Sequence, residues 1–301
     1  MPLPFKLVYT DEYFLPLGAH VFPAEKYRLI KQKLVQDGVA TPRDLLEPQP
    51  AADEDVLRVH TADYVRKLKT GTLSVMEQRL MEVPYSPQLV RAFWLAAGGS
   101  ILAAEHSLAD GCAVNIGGGF HHAYPDHGEG FCVLHDVAIA IRRLQHDAKI
   151  KTAMTVDCDV HHGNGTAAIF AKDESVFTIS LHQLNNYPAY KPPSSLDVDL
   201  PDGTGDGEYL AALERALKTG FDHGKPDLLC YVAGADPYRE DQLGGLALTI
   251  DGLKQRDTVV LQPAKSRGVP VMITFAGGYA RNVEDTVEIH CNTVKCAAEV
   301  F

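Results

Sequence analysis

Short continuous apolar runs alternate along the chain with longer segments of helical period. Residues 112–116, 153–156, 176–181 and 228–233 are apolar without alternation, and 269–275 form a fifth such run. Runs of this kind read as strands covered on both faces, the pattern of a parallel sheet. Helices are predicted over 24–37 before Gly38, from a Thr61 cap to Gly71, and from Ser86-Pro87 to near Gly111. Further helices are expected over 209–218 before Gly220, over 252–266 and over 282–298. Ala96, Ala97, Gly98, Gly99 and Ser100 permit close packing of the third helix, and Trp94 on the same helix reads as core. Pro188, Pro192, Pro193 and residues 199–207 mark an extended loop at the rim. No repeat, low-complexity tract or Pro/Ser-rich linker divides the chain, so residues 1–301 are expected to form one α/β domain.

The apolar runs give way at once to polar residues. The first leads into Gly117-Gly118-Gly119-Phe120-His121-His122, the second into Asp157-Cys158-Asp159-Val160-His161-His162-Gly163-Asn164. The fourth leads into Ala235-Asp236 and the fifth into Gly277-Gly278-Tyr279. Strands of a parallel sheet all end on one side, and ligands bind in the crevice outside those ends, so four separate segments are expected to converge. Asp157, Asp159 and His161 share a face if the strand continues. Two carboxylates and an imidazole facing one another call for a cation; Zn²⁺ or Fe²⁺ accepts both ligand types, and Asp236 offers a further oxygen. Three protein ligands leave a position for water, the mark of a catalytic site. Aiming both His121 and His122 inward needs a turn after the three glycines. Such an imidazole pair suits acid–base work, with Asp157 behind His121 and the neutral Asn164 behind His122. Tyr279 can donate a hydrogen bond to an oxygen gaining negative charge, on a loop whose glycines let it adjust.

Composition narrows the classes. The 301 residues are 46% hydrophobic and 22% charged, the balance of a globular protein. Against 28 Lys and Arg stand 39 Asp and Glu, a net charge of −11, which argues against nucleic-acid binding and leaves room for a cationic partner. Six cysteines without a CxxC pair fit buried thiols in a reducing compartment. No targeting pattern and no apolar stretch near twenty residues occurs, so a cytoplasmic protein without membrane association is expected. Asp197-Val198-Asp199 with Asp202-Gly203 invites a calcium-loop reading, but its spacing is wrong and it reads as a polar turn. Among the remaining histidines only His182 is expected near the site.

GGGFHHA, VDCDVHHGNGT, TISLH, AGADPYREDQLGGLALT and FAGGYARNV, in this order, resemble the zinc-dependent histone deacetylase superfamily on the arginase/deacetylase fold. The resemblance covers nearly the whole chain and is nearest to bacterial and class IV-like members. It implies a central parallel sheet of about eight strands with helices on both faces. It further implies zinc ligands Asp159, His161 and Asp236, the pairs His121–Asp157 and His122–Asn164, and Tyr279 as the electrophilic tyrosine. Phe131 in GEGFC, with Gly130, matches a wall of the acyl-lysine channel and Tyr187 the opposite wall. A K⁺ ion is implied through Asp157, His161, Ser180 and Leu181. Arg28 falls near a family arginine that lines an internal channel. The implied reaction is metal-assisted hydrolysis of an N-acyl-lysine amide in a peptide or protein. Acetylpolyamines, arginase-like hydrolysis with two metals, and a silent acyl-lysine reader or complex subunit are the competing readings.

Overall fold

The computed structural model describes residues 2–15 and 17–301. Eight strands form one sheet: β1 (Lys6–Val8), β2 (Leu45–Leu46), β3 (Cys112–Asn115), β4 (Ala153–Asp157), β5 (Val176–Gln183), β6 (Leu196–Leu200), β7 (Leu228–Val232) and β8 (Val271–Thr274). Their order is β2-β1-β3-β8-β7-β4-β5-β6, and every pair is parallel. The five expected strands are all present. β1 and β2 are too short to show a pattern, and β6 lies at the edge with its aspartates partly exposed, so its sequence does not form an apolar run.

Alternate side chains of each central strand enter two different cores. Val114, Val156, Tyr231 and Ile273 pack beneath the helices Lys26–Gln36, Asp206–His223, Ile250–Ser266 and Val283–Val300. Ala113, Ala153, Cys230 and Met272 pack on the other face with residues of Pro87–Asp110 and Asp136–His146. Both faces are therefore apolar, which is why the strands read as unbroken runs.

Helix ends follow the capping signals. Thr61 Oγ1 accepts from Tyr64 N and Gly71 closes the helix Ala62–Thr70 in the left-handed region. Ser86 caps Pro87–Asp110, which Gly111 ends. Gly220 is different. It lies inside Asp206–His223, where a Cβ would sit 2.7 Å from Met154 Sδ and 2.8 Å from Ile179 Cδ1. The glycine serves close approach of helix to sheet, not termination.

The topology also positions the site. β3, β4, β7 and β8 are scattered in sequence, yet the order β3-β8-β7-β4 makes them neighbours. The four polar segments at their carboxyl ends emerge side by side.

Candidate active site

β4 ends at Asp157, and the chain then turns, so Asp159 and His161 project from the loop and not from a continued strand. Each carboxylate is fixed by backbone amides. Asp157 Oδ1 accepts from Asp159 N at 3.1 Å, Asp159 Oδ1 from His161 N at 2.9 Å, and Asp236 Oδ1 from Val160 N at 2.8 Å. Asp159 Oδ2 accepts from Gly277 N at 2.7 Å. A Cβ on Gly277 would lie 1.9 Å from Asp236 Oδ2, so only glycine lets the loop after β8 close over these carboxylates.

Asp159, His161 and Asp236 are all buried and bring one ligand atom each within 4.8 Å of the others. His161 Nδ1 is 3.0 Å from Asp159 Oδ1 and 3.2 Å from Asp236 Oδ2. Asp236 Oδ2 is buried and has no hydrogen-bond partner. An orphaned carboxylate oxygen beside a second carboxylate and an imidazole is the donor set of a Zn²⁺- or Fe²⁺-type ion. Burial and the neighbouring Asp159 push the Asp236 carboxyl up, the repulsion a bound cation would relieve.

The expected turn aims both histidines inward. Gly119 N and Phe120 N donate to Asp136 Oδ1 at 3.1 and 2.8 Å, and this buried aspartate at the start of Asp136–His146 holds the glycine loop in place. The two imidazoles lie 4.0 Å apart. His121 Nδ1 is 2.6 Å from Asp157 Oδ2 and His122 Nδ1 is 2.6 Å from Asn164 Oδ1. Burial works against charging His121, but the Asp157 and Asp159 carboxylates outweigh it and raise the imidazole to about 9. Burial and the neighbouring His121 and His161 depress His122 well below the usual histidine range.

Tyr279 N donates to Asp241 Oδ2 at 2.7 Å, and Gln242 Nε2 donates to Tyr279 O at 2.8 Å. The tyrosine backbone is thus fixed on both sides, where the sequence suggested only an adjustable glycine loop. Burial and the carboxylates of Asp159 and Asp236 keep its phenol protonated.

A cleft lined by Phe131, Gly130 and Tyr187 leads to this cluster, and His122, His161 and Tyr279 also line it. Tyr187 packs edge-on against His122 at 5.0 Å, and Phe131 against Tyr279 at 6.0 Å. Phe131 adopts a φ of +68°, a conformation that costs a bulky residue on the order of 1–2 kcal/mol. Its N–H bonds to Met81 O at 2.9 Å and so pins it there.

Several site residues carry no sequence signal of their own. Asn164 Nδ2 donates to Glu129 Oε1 at 2.7 Å, and Tyr187 OH donates to the same oxygen at 2.9 Å. Glu82 also lines the cleft. The inward cation is Lys26, not Arg28. Lys26 Nζ is fully buried, donates to Ala276 O at 2.6 Å and lies 5.7 Å from the Tyr279 ring, whereas Arg28 is exposed over Phe14. Burial pushes the Lys26 ammonium down to about 8. Of the residues expected around K⁺, Asp157 pairs in register with Ser180, and Leu181 is buried next to it. The presumed polar turn at Asp197–Asp199 is part of β6; Asp197 faces His162 and Asp199 faces His182.

An α/β sheet that gathers three carboxylates, three imidazoles and a phenol at the ends of four adjacent strands defines a hydrolase-type site at a topological switch point. The histone deacetylase domain matches residues 20–294, and the chain belongs to that family. It is 41% identical to an uncharacterised protein of Picosynechococcus over 99% of both chains. It is 32% identical to histone deacetylase 2 of Arabidopsis thaliana, covering 94% of this chain and 77% of the relative. A histone deacetylase-like amidohydrolase of Pseudomonas aeruginosa is 29% identical, with 88% and 76% covered. Among solved structures, a histone deacetylase homologue complexed with SAHA superposes with a TM-score of 0.81 at 25% identity, over 97% of this chain and 82% of that one.

Proposed function

We propose that residues 1–301 form one catalytic unit that hydrolyses the amide of N-acyl-lysine in peptides or proteins. The observation that carries this reading is the pair of supported histidines beside the Asp159–His161–Asp236 cluster, on an aromatic-lined cleft. A Zn²⁺ or Fe²⁺ ion held by those three residues would polarise the acyl carbonyl and make water acidic enough to attack at neutral pH. His122 is backed by a neutral amide, stays unprotonated and takes the proton of the attacking water. His121 is backed by the Asp157 carboxylate, which stabilises an imidazolium, and it delivers a proton to the departing amine. Tyr279 OH donates to the oxyanion of the tetrahedral intermediate. Phe131 and Tyr187 flank the aliphatic lysine stem, and Gly130 keeps that wall thin. K⁺ held near Asp157, Ser180, Leu181 and His161 is a structural element of the same reading, supported by the β4–β5 pairing.

The six cysteines are buried and free, which supports the cytoplasm as the compartment, and no described helix is long and apolar enough to cross a membrane. The net charge of −11 supports a substrate other than nucleic acid. A second reading, hydrolysis of acylated polyamines, is favoured by Glu82, which lines the cleft and would attract a cationic amine. A panel of acetyl-, longer acyl- and lactyl-lysine peptides, run beside acetylspermidine with and without chelator, separates the two. Chelator-sensitive turnover on the peptides is expected. Turnover of acetylspermidine alone would replace the peptide reading with the polyamine one, and a metal-loaded protein inert on all of them would overturn both in favour of a silent reader.

A further inference from the structure

A second group of metal-type donors lies at the sheet edge. His162 and His182 are buried with their rings 4.6 Å apart, edge to face. His162 Nε2 and Asp197 Oδ1 are hydrogen-bonded at 3.2 Å, and Asp199 Oδ1 is 3.0 Å from His182 Nε2. One ligand atom from each of His162, His182 and Asp197 falls within 4.8 Å of the others. The register explains the gathering: β5 and β6 pair His182 with Asp199 and Ser180 with Asp197, and residues two apart on a strand share a face.

At His182 two observations favour a cation over a second His–Asp hydrogen bond. His182 Nε2 is buried and makes no hydrogen bond although Asp199 Oδ1 is only 3.0 Å away, which is the disposition of two ligands that share a third partner. Its other nitrogen, Nδ1, lies 3.0 Å from Ser180 Oγ; a proton donated there leaves the Nε2 lone pair free for a metal. The donor set also selects the ion. Two imidazoles with carboxylate suit Zn²⁺ and similar borderline cations, whereas K⁺ and Ca²⁺ prefer oxygen alone. The Asp197 and Asp199 side chains are 28% and 53% exposed, so the group opens to solvent and an ion can enter.

We propose that His162, His182 and Asp197, completed by Asp199, form a second site for a zinc-type divalent cation. Its place is structural: it ties the turn that carries His161 to the edge strand β6. The proposal stands independently of amide hydrolysis at the other cluster.

The test counts zinc by elemental analysis on the full chain after equilibration with Zn²⁺ and gel filtration. Two equivalents are expected in the wild type, one in Asp236→Ala and one in Asp197→Asn/Asp199→Asn. His182→Gln, checked for folding by circular dichroism, is expected to lose the same equivalent from the buried side. A wild type that holds a single equivalent removed by Asp236→Ala, or holds none, overturns the proposal. So does a second equivalent that survives in Asp197→Asn/Asp199→Asn. A single equivalent that survives Asp236→Ala and disappears in Asp197→Asn/Asp199→Asn supports this site and counts against the metal at the catalytic one.

Discussion

Asn164 is joined to Glu129: its Nδ2 donates to Glu129 Oε1 at 2.7 Å while its Oδ1 faces His122 Nδ1 at 2.6 Å. The negative charge missing from the partner of His122 is therefore present one residue further out. Hydrogen bonds from His127, Tyr187 and Asn164 outweigh burial and hold the Glu129 carboxyl below its ordinary range, so it is ionised at neutral pH. The anion fixes which way the Asn164 amide points, and this in turn keeps the Nδ1 proton of His122 in place and leaves Nε2 as the acceptor.

Glu129→Gln can present an N–H to Asn164 and loosen that orientation. Loss of such outlying support typically costs about 10–100-fold in activity, and a fall of that size in kcat on an acetyl-lysine peptide is expected. Tyr187→Phe removes only the second hydrogen bond to the same oxygen and is expected to act mainly on KM. Wild-type kcat in Glu129→Gln would show that Asn164 holds His122 unaided.

Tyr279 offers a protonated phenol to the cleft with its backbone tied to Asp241. Tyr279→Phe keeps the ring and removes the donor, which should lower kcat by ~10²–10³. Bound metal, measured by elemental analysis, should be unchanged. Equal turnover in the variant and the wild type would remove Tyr279 from the oxyanion role.

Asp159→Ala should lose the catalytic metal together with activity, because Asp159 accepts from both Gly277 N and His161 N while facing the cluster. Chelator treatment of the wild type should reproduce the loss of activity, and added Zn²⁺ should restore it in the wild type alone. Activity that persists in metal-free protein would contradict the metal-assisted reading.

Much of this site is legible before any geometry, because its residues come directly after apolar runs of the kind that buried parallel strands make. The Asp159–His161–Asp236 group, both histidine pairs and Tyr279 stand out in that pattern and in the resemblance. What stayed hidden depends on contacts between distant segments. Glu129 and Asn164 are 35 positions apart, and nothing local marks a glutamate before Gly-Phe as the partner of an asparagine. Lys26 escaped because a lysine on a short amphipathic helix ordinarily faces solvent, whereas this one is desolvated against Ala276 O and three aromatic rings. β6 escaped because an edge strand with aspartates at alternate positions looks like a turn until its histidine neighbours are known.

His60 gives the fold a pH dependence that is separate from catalysis. It is buried, and its Nε2 accepts from His135 N at 3.0 Å, so the folded protein holds it neutral. Burial pushes its pKa down from 6.5 to about 4. The unfolded chain therefore binds a proton between these values that the folded chain does not. Stability from this group is fully present above about pH 6.5 and is lost as the pH falls toward 4. By linkage the loss is about 2 kcal/mol between pH 7.5 and pH 5. His60→Gln retains an acceptor for His135 N but cannot titrate. The variant should be less stable than the wild type at pH 7.5 and should lose about 2 kcal/mol less on acidification to pH 5, as read from urea midpoints at the two pH values. Parallel losses in the two proteins would place the acid sensitivity elsewhere.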